Sequence, residues 1–217
     1  MNTCNSYPYN YLFKDIERIR FIHYYTLLDY VRKLGGKSVL IVGIGDFILY
    51  DCLSRYGYKV KTCDINPEFH PDYLCDISKP LPIKERFDII ILAVVLEHIE
   101  YRLMKPILKE LAKVGRNLII SVPYMTLRMF GYGWGKIMLW DNFYLFSDNG
   151  KLMTGIPYFF MTLPKYPKSD YNKHRWSLGL KGYGKQRFRE LLSTKFDIIG
   201  EKIDIPINEI YFCCSGK

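Results

Sequence analysis

The sequence lacks any long apolar run. Its longest, residues 89–96, is far shorter than the roughly 20 residues that a membrane-spanning helix needs. The opening letters, MNTCNSYPYN, have neither the basic start nor the apolar stretch of a secretion signal. These absences predict a soluble, intracellular protein with a cytoplasmic location and no membrane partner.

Sequence patterns for metal sites and disulfide frameworks are missing too. The six cysteines form no C-x-x-C pair, and no histidine stands at the spacing of a zinc ligand. Buried thiols are therefore the favoured interpretation, with no metal expected. Cys63 and Cys75 fall near the ends of successive predicted strands and could lie close together, although closeness alone does not establish a bond.

Strand-like and helical patterns alternate along the chain without an internal repeat. Its 217 residues, 49% of them hydrophobic, suffice for one buried core and predict a single domain. Apolar residues at helical spacing over 11–34 predict one or two helices before the first strand. The predicted strands are 38–42, 58–63, 73–75, 87–92, 117–122, 196–202 and 209–213, and the later helices are 47–56, 96–99, 103–114 and 186–192.

Several of these strands are apolar almost throughout, as is typical of a parallel sheet covered by helices on both faces. A short link joins the last two strands, so they are expected to pair antiparallel. The pattern predicts an α/β fold: a three-layer sandwich with a mostly parallel seven-stranded sheet and an antiparallel C-terminal hairpin.

Two later segments depart from the alternation. Residues 124–171 are rich in aromatics, glycine and methionine without a clean period, which is typical of a lid or binding loop. Residues 165–189 carry eight Lys or Arg against one acid, and the whole chain has a net charge of +9. This basic segment either attracts an anionic partner or is only a solvated surface.

Glycines and an acid mark the carboxyl ends of the first two strands. Gly43 and Gly45 follow the first strand, where they permit a tight turn and the close approach of a ligand. Asp64 ends the second strand, where a carboxylate can accept hydrogen bonds from two ribose hydroxyls. The pattern predicts a site for an adenosine-containing cofactor, but Ile48 replaces the small residue that a nicotinamide fingerprint needs.

The next stretch distinguishes between such cofactors. YLCDISKPLPIKERFDIIILAVVLEHI (73–99) places Asp76 at the end of the third strand and Leu-Glu-His after the fourth. Here the sequence resembles the class I, seven-strand S-adenosylmethionine (SAM)-dependent methyltransferases, in particular the small-domain type 11/12-like group with D-x-x-x-P-L-P-F and V-L-E-H motifs. The resemblance covers 37–122, and the terminal hairpin FDIIGEKID…EIYFCC extends it. It implies an enzyme that uses SAM.

The resemblance also implies a role for each position at this edge. Gly43 and Gly45 would line the methionine part of the cofactor. Asp64 would hold the ribose, and Asp76 would bond the exocyclic amine of adenine. The other implied cofactor contacts are Asp46 in the glycine loop, Ile65 beside the adenine, Ile77 through its backbone amide, and Ala93 and Val94 near the sulfonium.

We expect four parts within the single domain over 1–217. Residues 1–36 form an N-terminal helical cover, and residues 37–123 form the cofactor-binding core. Residues 124–175 are an aromatic lid or substrate insertion, and residues 176–217 supply the final helix and the hairpin.

Two positions depart from the family pattern. Family members usually carry an acid where this chain has Ile41 and a third glycine where it has Phe47. Asp46 is a candidate cap for the helix that follows. These departures keep open an alternative, a non-catalytic binding or scaffold protein with a degenerate cofactor site.

The residues expected on the acceptor side are fewer. His174 and His98 are the candidate catalytic residues, and Tyr124 and Arg175 are candidate substrate contacts beside His174. Glu97 and His98 have a competing structural interpretation as capping residues of a helix.

The acceptor itself is predicted from what is missing. No Asn/Asp-Pro-Pro-aromatic run follows the fourth strand, which argues against methylation of a flipped base. We expect O- or N-methylation of a small organic acceptor, and the basic segment favours a phosphorylated or otherwise anionic one. The alternative acceptor is RNA, bound by the same segment through basic side chains interleaved with aromatic ones, namely Tyr166, Tyr171, Trp176 and Tyr183.

Overall fold

The computed structural model of the protein describes residues 18–125, 128–133, 136–138, 158–162, 174–204 and 208–217. Its helices are α1 (Arg18–Leu34), α2 (Ile48–Arg55), α3 (Met104–Val114) and α4 (Lys185–Leu192), and single 3₁₀ turns cover Pro67–Phe69, Leu96–His98 and Tyr101–Leu103. Its strands are β1 (Ser38–Val42), β2 (Lys59–Asp64), β3 (Tyr73–Leu74), β4 (Phe87–Ala93), β5 (Gly115–Pro123), β6 (Arg128–Gly133), β7 (Lys136–Met138), β8 (Tyr158–Thr162), β9 (Phe196–Asp204) and β10 (Glu209–Gly216). Among the described helices, none has the length and apolar character to cross a membrane.

Seven strands form one sheet in the order β3-β2-β1-β4-β5-β10-β9. The pairs from β3 to β5 are parallel, whereas β10 runs antiparallel to both β5 and β9. The predicted three-layer α/β sandwich with its C-terminal hairpin is confirmed. The strand order reverses between β1 and β4, and ligands of such sheets bind at the carboxyl ends of the strands beside this point.

Two apolar cores lie on the two faces of the sheet. Leu40 and Val42 of β1 belong to the core that includes apolar residues of α3 and α4. Val39 and Ile41, which alternate with them, belong to the core that includes apolar residues of α1 and α2. Because both faces are covered, the central strands β1 and β4 are apolar at almost every position.

The amino end of β1 is fixed by Asp88 of β4. Its Oδ2 atom accepts hydrogen bonds from the backbone amides of Lys37 and Ser38, at 2.8 and 2.9 Å, and from the Ser38 hydroxyl at 2.9 Å. These bonds hold the pKa of Asp88 below its ordinary value. Gly36 permits this approach, since a Cβ there would lie 2.5 Å from the Asp88 Cβ.

A second, smaller sheet lies within the segment that we expected to be irregular. Strands β6, β7 and β8 pair antiparallel in the order β7-β6-β8. The expectation of an irregular segment is therefore wrong for these three stretches, because aromatic and branched residues favour strands even without strict alternation. Of the rest of the predicted lid, 124–125 and 174–175 are described, whereas 126–127, 134–135, 139–157 and 163–173 lie outside the described residues.

The cysteines also correct an expectation. Cys63 at the end of β2 and Cys75 just after β3 form a disulfide, with their Cα atoms 6.2 Å apart. The free-thiol interpretation is wrong for this pair, because parallel pairing of β2 and β3 brings the two side chains together. It is confirmed for Cys213 and Cys214 of β10, which are buried free thiols.

Candidate active site

The turn after β1 depends on Gly43 and Gly45. Both have left-handed backbone angles, with φ of 79° and 63°. A Cβ on Gly43 would lie 2.5 Å from Cγ2 of Val95, whereas a Cβ on Gly45 would meet nothing within 4 Å among the described residues. Gly43 is therefore required by both backbone geometry and space, and Gly45 by backbone geometry alone.

Phe47 occupies the place where the resembling family carries a third glycine. Its φ of 63° and ψ of −7° are left-handed, so the backbone keeps a conformation that glycine adopts most easily. Its ring makes edge-to-face contacts with Tyr50 of α2 and Phe69 of the 3₁₀ turn after β2. Helix α2 starts at Ile48, one residue later than predicted, because Phe47 is not helical.

Asp46 caps this helix and is itself held from α1. Its Oδ1 accepts a hydrogen bond from the Ile48 amide at 3.2 Å, as the capping hypothesis predicted. Its Oδ2 pairs with Arg20 at 3.2 Å and accepts a short hydrogen bond from the Tyr24 hydroxyl. Burial, and then this bond, raises the pKa of Tyr24. The sequence analysis missed Arg20 and Tyr24, because no motif marks a contact made from a preceding helix.

Ile41, where the family usually carries an acid, is a core residue. Its side chain is 3% exposed and packs among the apolar residues of the α1 and α2 face. A carboxylate at this depth would need a partner to offset its desolvation. In this chain, the contacts that α1 makes with Asp46 supply polar anchoring to the glycine loop instead.

Asp64 connects the loops that follow β1 and β2. Its Oδ2 accepts a hydrogen bond from the Ile44 amide at 2.9 Å, and its Oδ1 accepts one from the Asn66 amide at 2.8 Å. The carboxylate is therefore fixed at the edge beside the glycine turn. Ile65, the predicted neighbour of the adenine, is 68% exposed.

Asp76 lies in the loop that follows β3, directly after the disulfide-bonded Cys75. Its Oδ1 accepts hydrogen bonds from the Ser78 amide at 2.9 Å and the Ser78 hydroxyl at 2.7 Å. These bonds hold the pKa of Asp76 below its ordinary value. Ile77 is 6% exposed and belongs to the core. Because Cys63 and Cys75 directly precede Asp64 and Asp76, the disulfide ties the two acids to one another.

The end of β4 carries backbone strain. Val94 has a φ of 55°, which is a true outlier for a β-branched residue. Its amide donates to the backbone oxygen of Ser121 at 3.1 Å and to its hydroxyl oxygen at 3.2 Å. Strain of this kind concentrates at functional sites, and here it lies where Ala93 and Val94 are predicted to face the sulfonium.

Three side chains meet just beyond this point, and we refer to Glu97, His98 and His174 as the Glu97 cluster. His174 Nε2 lies 3.8 Å from Glu97 Oε1, and His98 Nε2 lies 4.0 Å from the same atom. The two imidazole rings are in edge-to-face contact with centroids 4.9 Å apart. The structure thus brings together the two histidines that the sequence analysis chose, although 76 positions separate them.

Glu97 is the unexpected member of the cluster. Its side chain is fully buried, and neither of its carboxylate oxygens has a hydrogen-bond partner among the described residues. Burial, with a smaller effect from the charge of Glu209, raises the pKa of Glu97 to about 8. The capping interpretation is wrong for this residue, since no side chain caps the turn Leu96–His98. Burial also lowers the pKa of His174, as does neighbouring His98.

The segment that delivers His174 is fastened to the 3₁₀ turn. The Arg175 amide donates to the Glu97 backbone oxygen at 2.8 Å, and the Trp176 indole donates to the Ile99 oxygen at 2.8 Å. The exposed Arg175 guanidinium donates to Glu100 Oε1 at 3.2 Å. Tyr124 lies beside this segment, in a parallel bridge to Leu178.

This packing corrects the role considered for Trp176. Its side chain is fully buried and in aromatic contact with Tyr101, Tyr183 and Phe188, so it presents no surface on which a base could stack. Further along the basic segment, Lys185 and Arg189 both pair with Glu201. Tyr166 and Tyr171 lie outside the described residues.

The predicted residues thus fall into two groups. Gly43, Gly45, Asp64 and Asp76 lie at the carboxyl ends of β1, β2 and β3, and we call them the glycine–acid edge. The Glu97 cluster follows β4, across the switch point. The LEH motif was a signal for Glu97, but the sequence did not show that the carboxylate would be buried.

No protein-family model matches this chain, and no curated protein sequence does either. Solved structures do match. The N-methyltransferase NodS from Bradyrhizobium japonicum WM9 aligns with a TM-score of 0.57 at 12% identity, over 93% of this chain and 98% of NodS. A SAM-dependent methyltransferase from Clostridium acetobutylicum gives a TM-score of 0.57 at 13% identity, over 95% of each chain.

The glycopeptide N-methyltransferase MtfA, solved with SAM, also aligns with a TM-score of 0.57. Its identity is 11%, and the match covers 90% of this chain and 94% of MtfA. NodS has in addition been solved with S-adenosyl-L-homocysteine. At such low identity, these matches speak for architecture, and they agree with the strand order and the hairpin described above. This chain therefore has the Rossmann-like fold of the class I SAM-dependent methyltransferases.

Proposed function

We propose that this protein is a SAM-dependent methyltransferase that methylates an oxygen or nitrogen of a small organic acceptor. The observation that carries the proposal is the glycine–acid edge at the switch point of the sheet. The turn after β1 has no room for a side chain at Gly43, and it lies beside Asp64 and Asp76, which follow the neighbouring strands. The late basic segment supports an anionic acceptor, and a cytoplasmic location is part of the proposal.

The acids fit the adenosine part of SAM. The described contacts use one acceptor position on each oxygen of Asp64, and an ionised carboxylate offers about four. Asp64 therefore keeps capacity for two ribose hydroxyls while its own amide partners hold it in place. Asp76, whose carboxylate is held by Ser78, would accept a hydrogen bond from the adenine amine.

The glycine turn and the strained end of β4 fit the other half of the cofactor. The absence of a side chain on Gly43 lets Val95 pack directly against the turn, and the Val94 amide donates a hydrogen bond to Ser121. When bound, SAM supplies a methyl group on an electrophilic sulfonium. The residues at the end of β4 then mainly have to align the acceptor with that methyl group.

We assign the acceptor side to His174 and His98. His174 is only 14% exposed and is held by the segment fastened to the 3₁₀ turn, so it can orient an acceptor or take its proton at Nε2. His98 is the more exposed of the two and lies at the mouth of the same cluster. Tyr124 and Arg175 border this place as proposed substrate contacts.

The two alternatives rest on weaker observations. RNA is less well supported as the acceptor, because Trp176 is buried and cannot stack on a base. Lys185 and Arg189 already pair with Glu201, which weakens the case that they bind phosphates. A scaffold with a degenerate site was suggested by Ile41 and Phe47. However, the loop is anchored through Asp46, and Phe47 takes the left-handed conformation of the missing glycine.

The proposal is tested by incubating the protein with SAM carrying an isotope-labelled methyl group and with a cell extract. The extract is separated into small-molecule and RNA fractions and examined by mass spectrometry. We expect a labelled product among the small molecules, and Asp64→Ala should reduce its yield in parallel with cofactor affinity. Label in the RNA fraction alone would contradict the acceptor class, and no labelled product in any fraction would contradict the activity.

A further inference from the structure

The Glu97 cluster has the composition of a metal site. One ligand atom from each of its three side chains lies within 4.8 Å of the others, and the two Glu–His separations are 3.8 and 4.0 Å. The donor atoms of a tetrahedral zinc ion, with bonds of about 2.0–2.2 Å, lie roughly 3.4 Å apart. The two Glu–His separations would have to shorten by about 0.4–0.6 Å, and the His–His separation by at most about 1.4 Å.

The carboxylate of Glu97 independently indicates a missing partner. Its side chain is 0% exposed, and neither oxygen has a hydrogen-bond partner among the described residues. Burying a carboxyl group in this state is unfavourable unless a partner compensates for the lost water. The Nε2 atoms of His98 and His174 lie 4.0 and 3.8 Å from Oε1, which is beyond hydrogen-bond distance. An ion between the three groups would satisfy this carboxylate.

We propose that Glu97, His98 and His174 bind one divalent first-row transition-metal ion, of which Zn²⁺ is the representative. Two imidazoles and one carboxylate suit Zn²⁺, Co²⁺ or Fe²⁺, whereas Mg²⁺ and Ca²⁺ prefer oxygen ligands alone. The segment beside the site is held firmly, because the Arg175 amide and the Trp176 indole bond to the backbone of the 3₁₀ turn.

Three protein ligands leave at least one coordination position open. Catalytic zinc sites share this arrangement, with water or substrate in the remaining position. The side chain of His98 is 47% exposed, so solvent reaches the cluster from that side. If the proposed function is correct, on which this step alone rests, the open position would take an oxygen or nitrogen of the acceptor. With its Nε2 bound to the ion, His174 would then orient the acceptor through the ion and would not take its proton.

The experiment is a metal titration without cofactor or acceptor. Chelator-treated full-length protein is titrated with Co²⁺, which reports its ligands by visible absorption, and then with Zn²⁺ in competition with an indicator. We expect one ion per chain with a Kd of about 1 µM or tighter, and no displacement by millimolar Mg²⁺. His98→Ala, His174→Ala and Glu97→Gln should each weaken binding by at least about tenfold.

His70→Ala is the matched control, because His70 is an exposed histidine outside the cluster and its loss should leave affinity unchanged. Near-ultraviolet circular dichroism shows whether each variant is folded, and Glu97→Gln preserves the shape of the buried side chain. The proposal is overturned if the parent protein binds no stoichiometric ion, if Mg²⁺ competes effectively, or if folded variants of the cluster bind as tightly as the parent. Because none of these readouts uses SAM, failure here leaves methyl transfer untouched.

Discussion

The two halves of the candidate site differ in how their polar groups are satisfied. At the glycine–acid edge, Asp64 accepts hydrogen bonds from backbone amides of the loops after β1 and β2, and Asp76 accepts one from its own loop. In the Glu97 cluster, a fully buried carboxylate has no such donor among the described residues. The polar groups of the first half are therefore satisfied by the protein backbone, whereas the described residues leave the Glu97 carboxylate of the second half without a hydrogen-bond donor.

This difference separates what each half can do. A set of acids already fixed by backbone donors can receive a cofactor with little rearrangement, so binding carries a small ordering cost. A cluster with an unsatisfied carboxylate gains the most from whatever binds there, whether acceptor or ion. We therefore expect changes at the edge to alter cofactor affinity or stability, and changes in the cluster to alter turnover.

The largest expected effect is on the cluster side. His174→Ala should lower kcat by about 100-fold, because this largely buried histidine is the proposed base or orienting group for the acceptor. The affinity of the His174→Ala variant for SAM should change by less than about threefold. Steady-state kinetics together with calorimetric titration of SAM measure both quantities, and His70→Ala serves as the control. Equal losses of turnover and cofactor affinity would remove the distinction between the two halves.

The two glycines of the edge offer a matched pair. Gly43→Ala should destabilise the protein by about 2–4 kcal/mol, because it combines a left-handed φ with a Cβ 2.5 Å from Val95. Gly45→Ala should cost about 1–2 kcal/mol, since only the backbone conformation opposes it. Urea unfolding measures both values. Equal losses, or a larger loss at Gly45, would show that Val95 does not limit this turn.

Asp64 and Asp72 form a second pair on the cofactor side. Asp64→Ala should weaken SAM binding by about 1.5–3 kcal/mol, the range for a hydrogen bond to a charged group. Asp72 also accepts from β2, at the Thr62 amide (2.9 Å) and the Lys61 ammonium (2.7 Å), but lies outside the glycine–acid edge. Asp72→Ala should therefore reduce stability without a matching loss of cofactor affinity. Calorimetric titration of both variants checks this, and equal weakening would contradict the ribose assignment.

The smallest expected effect lies at the opposite end of the sheet. The hydrogen bonds of Asp88 lower its folded-state pKa, so its contribution to stability is present above its ordinary value and lost as the pH falls through the folded-state pKa. Asp88→Asn should cost about 1–2 kcal/mol near pH 7. The difference between parent and variant should shrink below about pH 4, as followed by unfolding across pH. A stability difference between parent and variant that stays constant with pH would contradict this account. As a control, the parent and Asp88→Asn should bind SAM with the same affinity.

Local patterns sufficed to predict the sheet and the glycine–acid edge. The central strands β1 and β4 are nearly continuous apolar runs because both faces are covered, and Asp64 and Asp76 stand at or just after strand ends, where a motif can mark them. The contacts that were missed join distant parts of the chain. The Cys63–Cys75 bond joins residues 12 positions apart, and the ion pair between Arg20 and Asp46 joins residues 26 positions apart. Neither contact belongs to the repeating pattern of a single helix or strand.

The burial of Glu97 and Trp176 was hidden for a related reason. Trp176 stands in the basic segment 165–189, so composition indicated a surface, and Glu97 is an acid next to His98, for which capping of a helix was the competing interpretation. Their burial depends on the segment that begins at His174 lying across the 3₁₀ turn, which only the tertiary structure establishes.

The central claim is that the glycine–acid edge binds SAM, and direct titration tests it. We predict saturable binding of one SAM per chain to the parent protein. For a Kd of about 10 µM, SAM at about 1 mM should stabilise the folded state by about 2.7 kcal/mol in thermal or urea unfolding. The absence of both calorimetric heat and stabilisation at millimolar SAM would contradict the claim.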